Sequence, residues 1–256
     1  MKYTFGSGQT AADRLFEISK FFNAHAVEFI KMYNNKDNCS GLDLGCGPGY
    51  TTKMLSEAIS SGDVTGLDIS ENFIKRAKEM FPALHFIKHD ITVTPFPVAA
   101  DIAYGRFILS HLKNPVPLIN LWVTQLHGNG LLCIDELEDI YTKTEVFKKY
   151  LKINTGLVAG QGADLFVGRI LGAGEYQYRV LCNESKKLAV PEWRAASWFY
   201  PNTVSIWKND GYVTSRVTEE ERMEIADNMK HIMDSRVNDG NTHWIMRRMV
   251  FQKGQA

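Results

Sequence analysis

Between residues 39 and 137 the chain alternates short apolar runs with longer segments of helical period. "GLDLG" leads into "YTTKMLSEAIS". "DVTGLDIS" leads into "ENFIKRAKEMF", which stops at Pro82. "LHFIKHDI" and "ADIAYGRF" are two further runs, and "PVPLINLWVTQLHGNG" carries the chain on to "GLLCIDEL". Strand–helix alternation of this kind predicts an α/β fold around a parallel sheet with right-handed crossovers. The runs are continuously apolar rather than alternating, as expected of strands covered on both faces.

The flanks are organised differently. Residues 10–33 have apolar positions at 15, 18, 22, 26, 29 and 30, which is helical spacing with Thr10 as the N-cap. After Leu137, residues 143–173 read as helical with a break at "VAGQGADLF". "EYQYRVLC" reads as a strand, and Thr218 followed by three acids marks a helix start. "THWIMRRMVFQK" is a closing strand, able to form an antiparallel hairpin with "YQYRVLC" at the sheet edge. The expected organisation is a single domain over 1–256. It comprises an N-terminal helical cover (1–35), a core (36–137), a substrate-side insertion (138–208), and a C-terminal helix with closing strand (209–256).

Composition narrows the function. Hydrophobic residues make up 45 %, enough for a sizeable core. Lys+Arg and Asp+Glu are equal at 29 each, so no overall charge favours nucleic acid as a partner. Cys39, Cys46, Cys133 and Cys182 form no CxxC pair, so no metal is expected. No apolar run approaches the ~20 residues that span a bilayer. With no signal-like segment, a cytoplasmic monomer or homodimer acting on a small molecule is expected.

The stretch "GLDLGCGPGY" puts Gly45, Gly47 and Gly49 directly after the first strand, around Cys46. Glycines so placed serve a positive φ or the close approach of a ligand. A triphosphate-binding loop would need GxxxxGK[ST], which is absent, and dinucleotides prefer GxGxxG. The GxGxG spacing with Asp43 before it resembles the first motif of the class I S-adenosylmethionine-dependent methyltransferases. The resemblance covers about residues 39–137. It implies a Rossmann-like doubly wound α/β sheet, mostly parallel with an antiparallel last strand, helices on both faces and an inserted helical and aromatic cap. It implies S-adenosyl-L-methionine as cofactor and S-adenosyl-L-homocysteine as product. Gly45, Gly47 and Gly49 would border the methionine and ribose portions, and Asp43 would hold the amino group, directly or through water.

Further markers follow the same resemblance. Asp68 ends the second strand, where a carboxylate can accept both ribose hydroxyls, with Ile69 against the adenine. Dinucleotide folds use an acid there too. Asp90 resembles the acid that reads the adenine amine, with Ile91 beside the ring. Arg106 and Phe107 would face cofactor or substrate; an ordinary salt-bridge role for Arg106 stands equally. In the N-terminal segment Tyr3 and Arg14 are candidates to meet the cofactor carboxylate, against the plain reading of a helix covering the sheet.

An activated methyl leaves the protein mainly to position and desolvate the reactants. A base is needed only for a protonated, weakly acidic nucleophile. His111 is the candidate, with packing as its other reading. Asp135 and Glu136 would end the fifth strand as catalytic or solvated-edge acids. Trp193, Trp198 and Tyr200, with Phe199 and Trp207, would wall an apolar substrate pocket or fill a core beneath the insertion. The expected function is methyl transfer to a small-molecule O, N or carboxylate. The alternatives are a nicotinamide-dependent oxidoreductase and a non-catalytic cofactor-binding domain.

Overall fold

The structure, a computed structural model, describes residues 6–34, 36, 39–236 and 241–254. In chain order the elements begin with α1 (Gln9–Tyr33), β1 (Gly41–Leu44), α2 (Tyr50–Ala58), β2 (Val64–Asp68), α3 (Glu71–Met80) and β3 (His85–Lys88). β4 (Ala100–Arg106), α4 (Pro115–Thr124), β5 (Leu126–Tyr141), α5 (Glu145–Ala159) and α6 (Gly168–Gly172) follow. The last are β6 (Arg179–Pro191), α7 (Glu192–Pro201), α8 (Gly211–Thr214), α9 (Glu219–Ser235) and β7 (Asn241–Gln252).

The seven strands form one sheet in the order β3-β2-β1-β4-β5-β7-β6. β3, β2, β1, β4 and β5 are parallel, and β7 runs antiparallel to both its neighbours. The expected hairpin of the last two strands is therefore present, with β7 inside it and β6 at the edge. α1 begins on Gly8, without a side-chain cap, and not on Thr10. Ser70 caps α3, its hydroxyl accepting from Phe73 N at 3.3 Å. α3 ends at Phe81, because the residue before a proline is pushed out of the helical region.

Two apolar layers sandwich the sheet. Ala26, Phe29 and Ile30 of α1 and Met54 and Leu55 of α2 pack on Tyr104, Cys133 and Val250. On the other face, Ile119 and Trp122 of α4 and Leu171 of α6 meet Leu42, Leu44, Ala103 and Phe251. Trp122 is 1 % exposed, and its indole N–H is satisfied by Ile91 O at 2.8 Å. A third cluster lies beyond the end of the sheet. There Leu137, Ile140, Trp244 and Met246 project from β5 and β7 into α5, α7 and α9. Its ring stack runs Trp207–Tyr150–Phe199, with centroids 5.3 and 4.3 Å apart. No helix among the described residues is long and apolar enough to cross a membrane.

Candidate active site

Strand order reverses between β1 and β4, and in an open α/β sheet the crevice beyond that reversal is where ligands bind. Two loops face each other there, residues 45–49 after β1 and 107–111 after β4. They touch: a β-carbon on Gly45 would lie 2.6 Å from Ile108. Gly45 is bare because the opposite loop fills its space, and its φ of 73° suits glycine alone. At Gly47, φ is 52°, and an added β-carbon would meet nothing closer than Leu15 Cδ1 at 3.6 Å. The approach of a ligand, expected at all three glycines, is thus open at Gly47. Gly49 packs on Phe81 and Phe86.

The acids behind the loop are tied to it. Asp68, 1 % exposed, accepts from Gly47 N at 2.9 Å and from Ser70 N at 2.7 Å. Asp43, equally buried, accepts from the hydroxyls of Thr51 and Thr52, both at 2.7 Å. It pins the start of α2 from within. Burial pushes its carboxyl up to about 6, against the pull of both hydroxyls and of Arg106. Asp90 closes a turn on Thr92, accepting from its amide and hydroxyl at 2.9 and 2.7 Å. Ile69 is half-buried beside Asp68. Ile91 differs from expectation: its side chain, 5 % exposed, is part of the core under α4. An apolar side chain following β3 is drawn to the sheet rather than to the crevice.

The β4 side carries more charge than its apolar sequence suggests. Tyr104, Arg106, Asp135 and Arg248 occupy one face by register, Arg106 opposite Asp135 and Asp135 opposite Arg248. Arg106 Nη2 donates to Asn23 Oδ1 at 2.9 Å, and Arg248 Nη2 to His25 O at 3.1 Å, so both arginines fasten α1. Arg106 Nη1 is buried and has no hydrogen-bond partner. Asp135 and Glu136 do not end a strand at a wet edge. β5 runs on to Tyr141, and both acids are buried at 1 % and 0 % exposure. Glu136 Oε1 accepts from Ile108 N at 2.7 Å and Leu109 N at 2.8 Å, holding the 107–111 turn. Phe107 in that turn has a φ of 54°.

Three adjoining spaces surround these groups. A cleft of about 90 Å³ is lined by Gly45, Cys46, Gly47, Tyr50, Arg14, Arg106, Phe107 and His111 among others. An aromatic chamber of about 130 Å³ lies next to it, walled by Tyr150, Trp198, Phe199, Trp244, Leu137 and Ile140. Cleft and chamber share Arg14, Leu15, Ile18, Phe107 and His111. An outer groove of about 1020 Å³ past Thr92 and Lys113 shares Gly6 and His111 with the cleft. His111 therefore borders all three. Burial and the charge of Arg14 lower its imidazole to about 4. Arg14 Nη1 donates to Asn202 Oδ1 at 3.2 Å.

Of the expected substrate residues, Trp198 lines the chamber. Trp193 stands outside it, against the guanidinium groups of Arg194 and Arg236 at 4.9 and 5.8 Å. Tyr200 packs half-buried on the cap core, and Trp207, 0 % exposed, fills it. Phe199 lines the chamber beside Trp198, and Tyr150 and Trp244 take the places expected of Trp193 and Tyr200. Tyr3 lies outside the described residues.

Comparison with known proteins bears on the same region. The family described as a methyltransferase domain matches residues 42–130. A trans-aconitate 2-methyltransferase of Agrobacterium fabrum is 24 % identical over 107 residues, 42 % of each chain. One from Paracidovorax citrulli is 35 % identical over 95 residues, 36 % of each. The chain matches less than half the length of these relatives. Coclaurine N-methyltransferase, solved with N-methylheliamine and S-adenosylhomocysteine, superposes on 90 % of this chain and 72 % of its own. The TM-score is 0.55 at 14 % identity. A cyclopropane synthase of Mycobacterium tuberculosis covers 89 % of this chain and 83 % of its own, with TM-score 0.53 and 11 % identity. At such identities the structures share the fold.

Proposed function

We propose that this chain, whose residues 42–130 match a methyltransferase domain, is a class I S-adenosylmethionine-dependent methyltransferase that transfers a methyl group to a small molecule held in the aromatic chamber. One observation carries this reading: the glycine cleft and the chamber meet along five shared residues. A donor in one and an acceptor in the other would face each other there.

The cleft fits the methionine end of S-adenosylmethionine. Gly47 leaves it open, and the buried Arg106 Nη1 offers an unused donor suited to a carboxylate. Asp68, held behind the glycine loop by the amides of Gly47 and Ser70, would accept from the ribose hydroxyls. Asp90 would accept from the adenine amine toward the outer groove, with Ile69 against the ring. Asp43 supports the loop and, through water, the amino group. Once bound, the cofactor supplies a methyl already activated on a sulfonium.

The chain's own contribution is alignment and exclusion of water. Phe107, Leu15 and Ile18 form an apolar seam between the two spaces. His111, neutral at physiological pH, can accept a hydrogen bond or act as a weak base for an O or N nucleophile. The family match ends at residue 130, before the α5 and α7 walls of the chamber. The walls that would select the acceptor are therefore this chain's own.

Thermal unfolding tests the donor. S-adenosylhomocysteine at about 100 times its Kd adds about 2.7 kcal/mol, or roughly 5–10 °C for a chain of this size. NAD and NADP should give no shift. A shift with NAD in place of the adenosyl-sulfur ligand would overturn the reading in favour of redox chemistry.

A further inference from the structure

We propose that the protein forms a two-fold dimer by pairing β6 antiparallel with β6 of a second copy, with Ser185 on the axis and Glu184 of each copy opposite Lys186 of the other. Nothing in this pairing depends on what the cleft holds.

β6 (Arg179–Pro191) ends the sheet, and among the described residues no strand pairs with it on the side away from β7. A long free edge offers unpaired amide and carbonyl groups to another strand, and natural proteins often blunt such an edge with lysine. Lys186 and Lys187 stand exposed near its middle. They repel a chance strand. Glu184, exposed just before them, changes the outcome for a copy of the same chain. Neither Glu184 nor Lys186 makes an ion pair among the described residues. Glu184 faces Arg248 by register, but that guanidinium is drawn inward, to Asp135 Oδ1 at 3.6 Å and to His25 O at 3.1 Å.

Symmetry then selects the register. A two-fold axis normal to the sheet keeps each face on its own side, so side chains of one face meet only side chains of that face. A centre on Glu184 or on Lys186 sets like charge against like charge at the axis. A centre on Asn183 or Lys187 sets both charges against apolar side chains. With the centre on Ser185, Glu184 and Lys186 pair on both sides of the axis, and Lys187 falls opposite Asn183. Cys182 then meets Leu188, both buried. Ser185 is also the midpoint of β6, so this register gives the longest overlap. The register shift of β6 against β7, between Val180 and Cys182, lies outside the central pairs. Paired in this way, the two copies share one sheet. β6 runs directly into α7, so the pairing also ties down the helix that brings Trp198 and Phe199 to the chamber.

Sedimentation equilibrium of the full chain is the test. Wild type should be dimeric at about 100 µM and dissociate on dilution. Its amides at residues 182–188 should exchange hydrogen more slowly in the dimer than in the monomer. Lys186→Glu and Glu184→Lys each set like charges opposite one another on both sides of the axis, and each should weaken the dimer at least about tenfold. The two substitutions together should restore it to within about threefold of wild type. Neither side chain lines the cleft or the chamber, and circular dichroism should show all three variants folded. A wild type that stays monomeric, a dimer indifferent to both single substitutions, or one that the double substitution fails to restore overturns the proposal. So does a wild-type dimer whose residues 182–188 exchange as fast as in the monomer, whatever the variants do.

Discussion

Glu136 shapes the site without lining it. Its carboxyl holds the amides of Ile108 and Leu109, and so fixes the turn that presents Phe107 and His111. Burial pushes the group up to about 8, against the pull of those backbone donors. From about pH 4.5 to 8 the folded chain therefore keeps a proton that the unfolded chain releases, and stability falls as pH rises. Asp43, raised to about 6, adds the same slope below pH 6. His111, lowered to about 4, gives the opposite slope between about 4 and 6.5. Above pH 6.5 the opposing term is gone. One proton is worth about 1.4 kcal/mol per pH unit, so stability should drop by about 2 kcal/mol between pH 6.5 and 8. Glu136→Gln should flatten that drop in urea titrations; an unchanged slope would show that Glu136 ionises freely. Asp68→Ala should weaken S-adenosylhomocysteine binding by roughly 1.5–3 kcal/mol in calorimetry, the scale of a lost charged hydrogen bond. Unaltered affinity would remove Asp68 from the ribose. Asp68 and Gly47 were legible in the sequence because a short motif fixes their surroundings. Glu136 was not, because its amide partners lie 27 and 28 residues away.

At the scale of elements, α9 was the plainest to read. Thr218 and Glu221 form a reciprocal capping box, each side chain meeting the other's backbone amide. Thr218→Ala should cost about 1 kcal/mol in chemical denaturation without touching ligand affinity. A cost near zero would mean that packing alone holds the helix. β5 was read too short at both ends. "HGNG" looked like a helix stop, yet it belongs to an irregular strand start, where Asn129 has a φ of 60° and pairing with β4 jumps from Ala100–Leu126 to Ile102–Leu131. The far end, "EDIY", lies past the strand read as "GLLCIDEL". β7 pairs with it as far as Tyr141–His243, despite a register shift past Leu137. Local propensity cannot register a partner strand a hundred residues away.

At the scale of the molecule, the parallel strands β1 to β5 present the loops, and α1, α5 and α7 with the ends of β5 and β7 wall the chamber. The parallel core and its crevice could be inferred from alternation and glycines alone. The chamber could be inferred only in part: Trp198 and Phe199 stood in the aromatic cluster, but Tyr150 and Trp244 come from separate elements, and only tertiary packing brings their rings to it. The same arrangement has a consequence in time. β7 lies between β5 and β6, so during synthesis neither has its neighbour until residue 252 has been made. From the end of β6 at Pro191 that is 61 residues more, roughly 3–12 s at 5–20 residues per second. Through that interval the nascent chain carries two open strand edges, one of them the Leu- and Ile-rich β5, and is at its most prone to pair with a stranger.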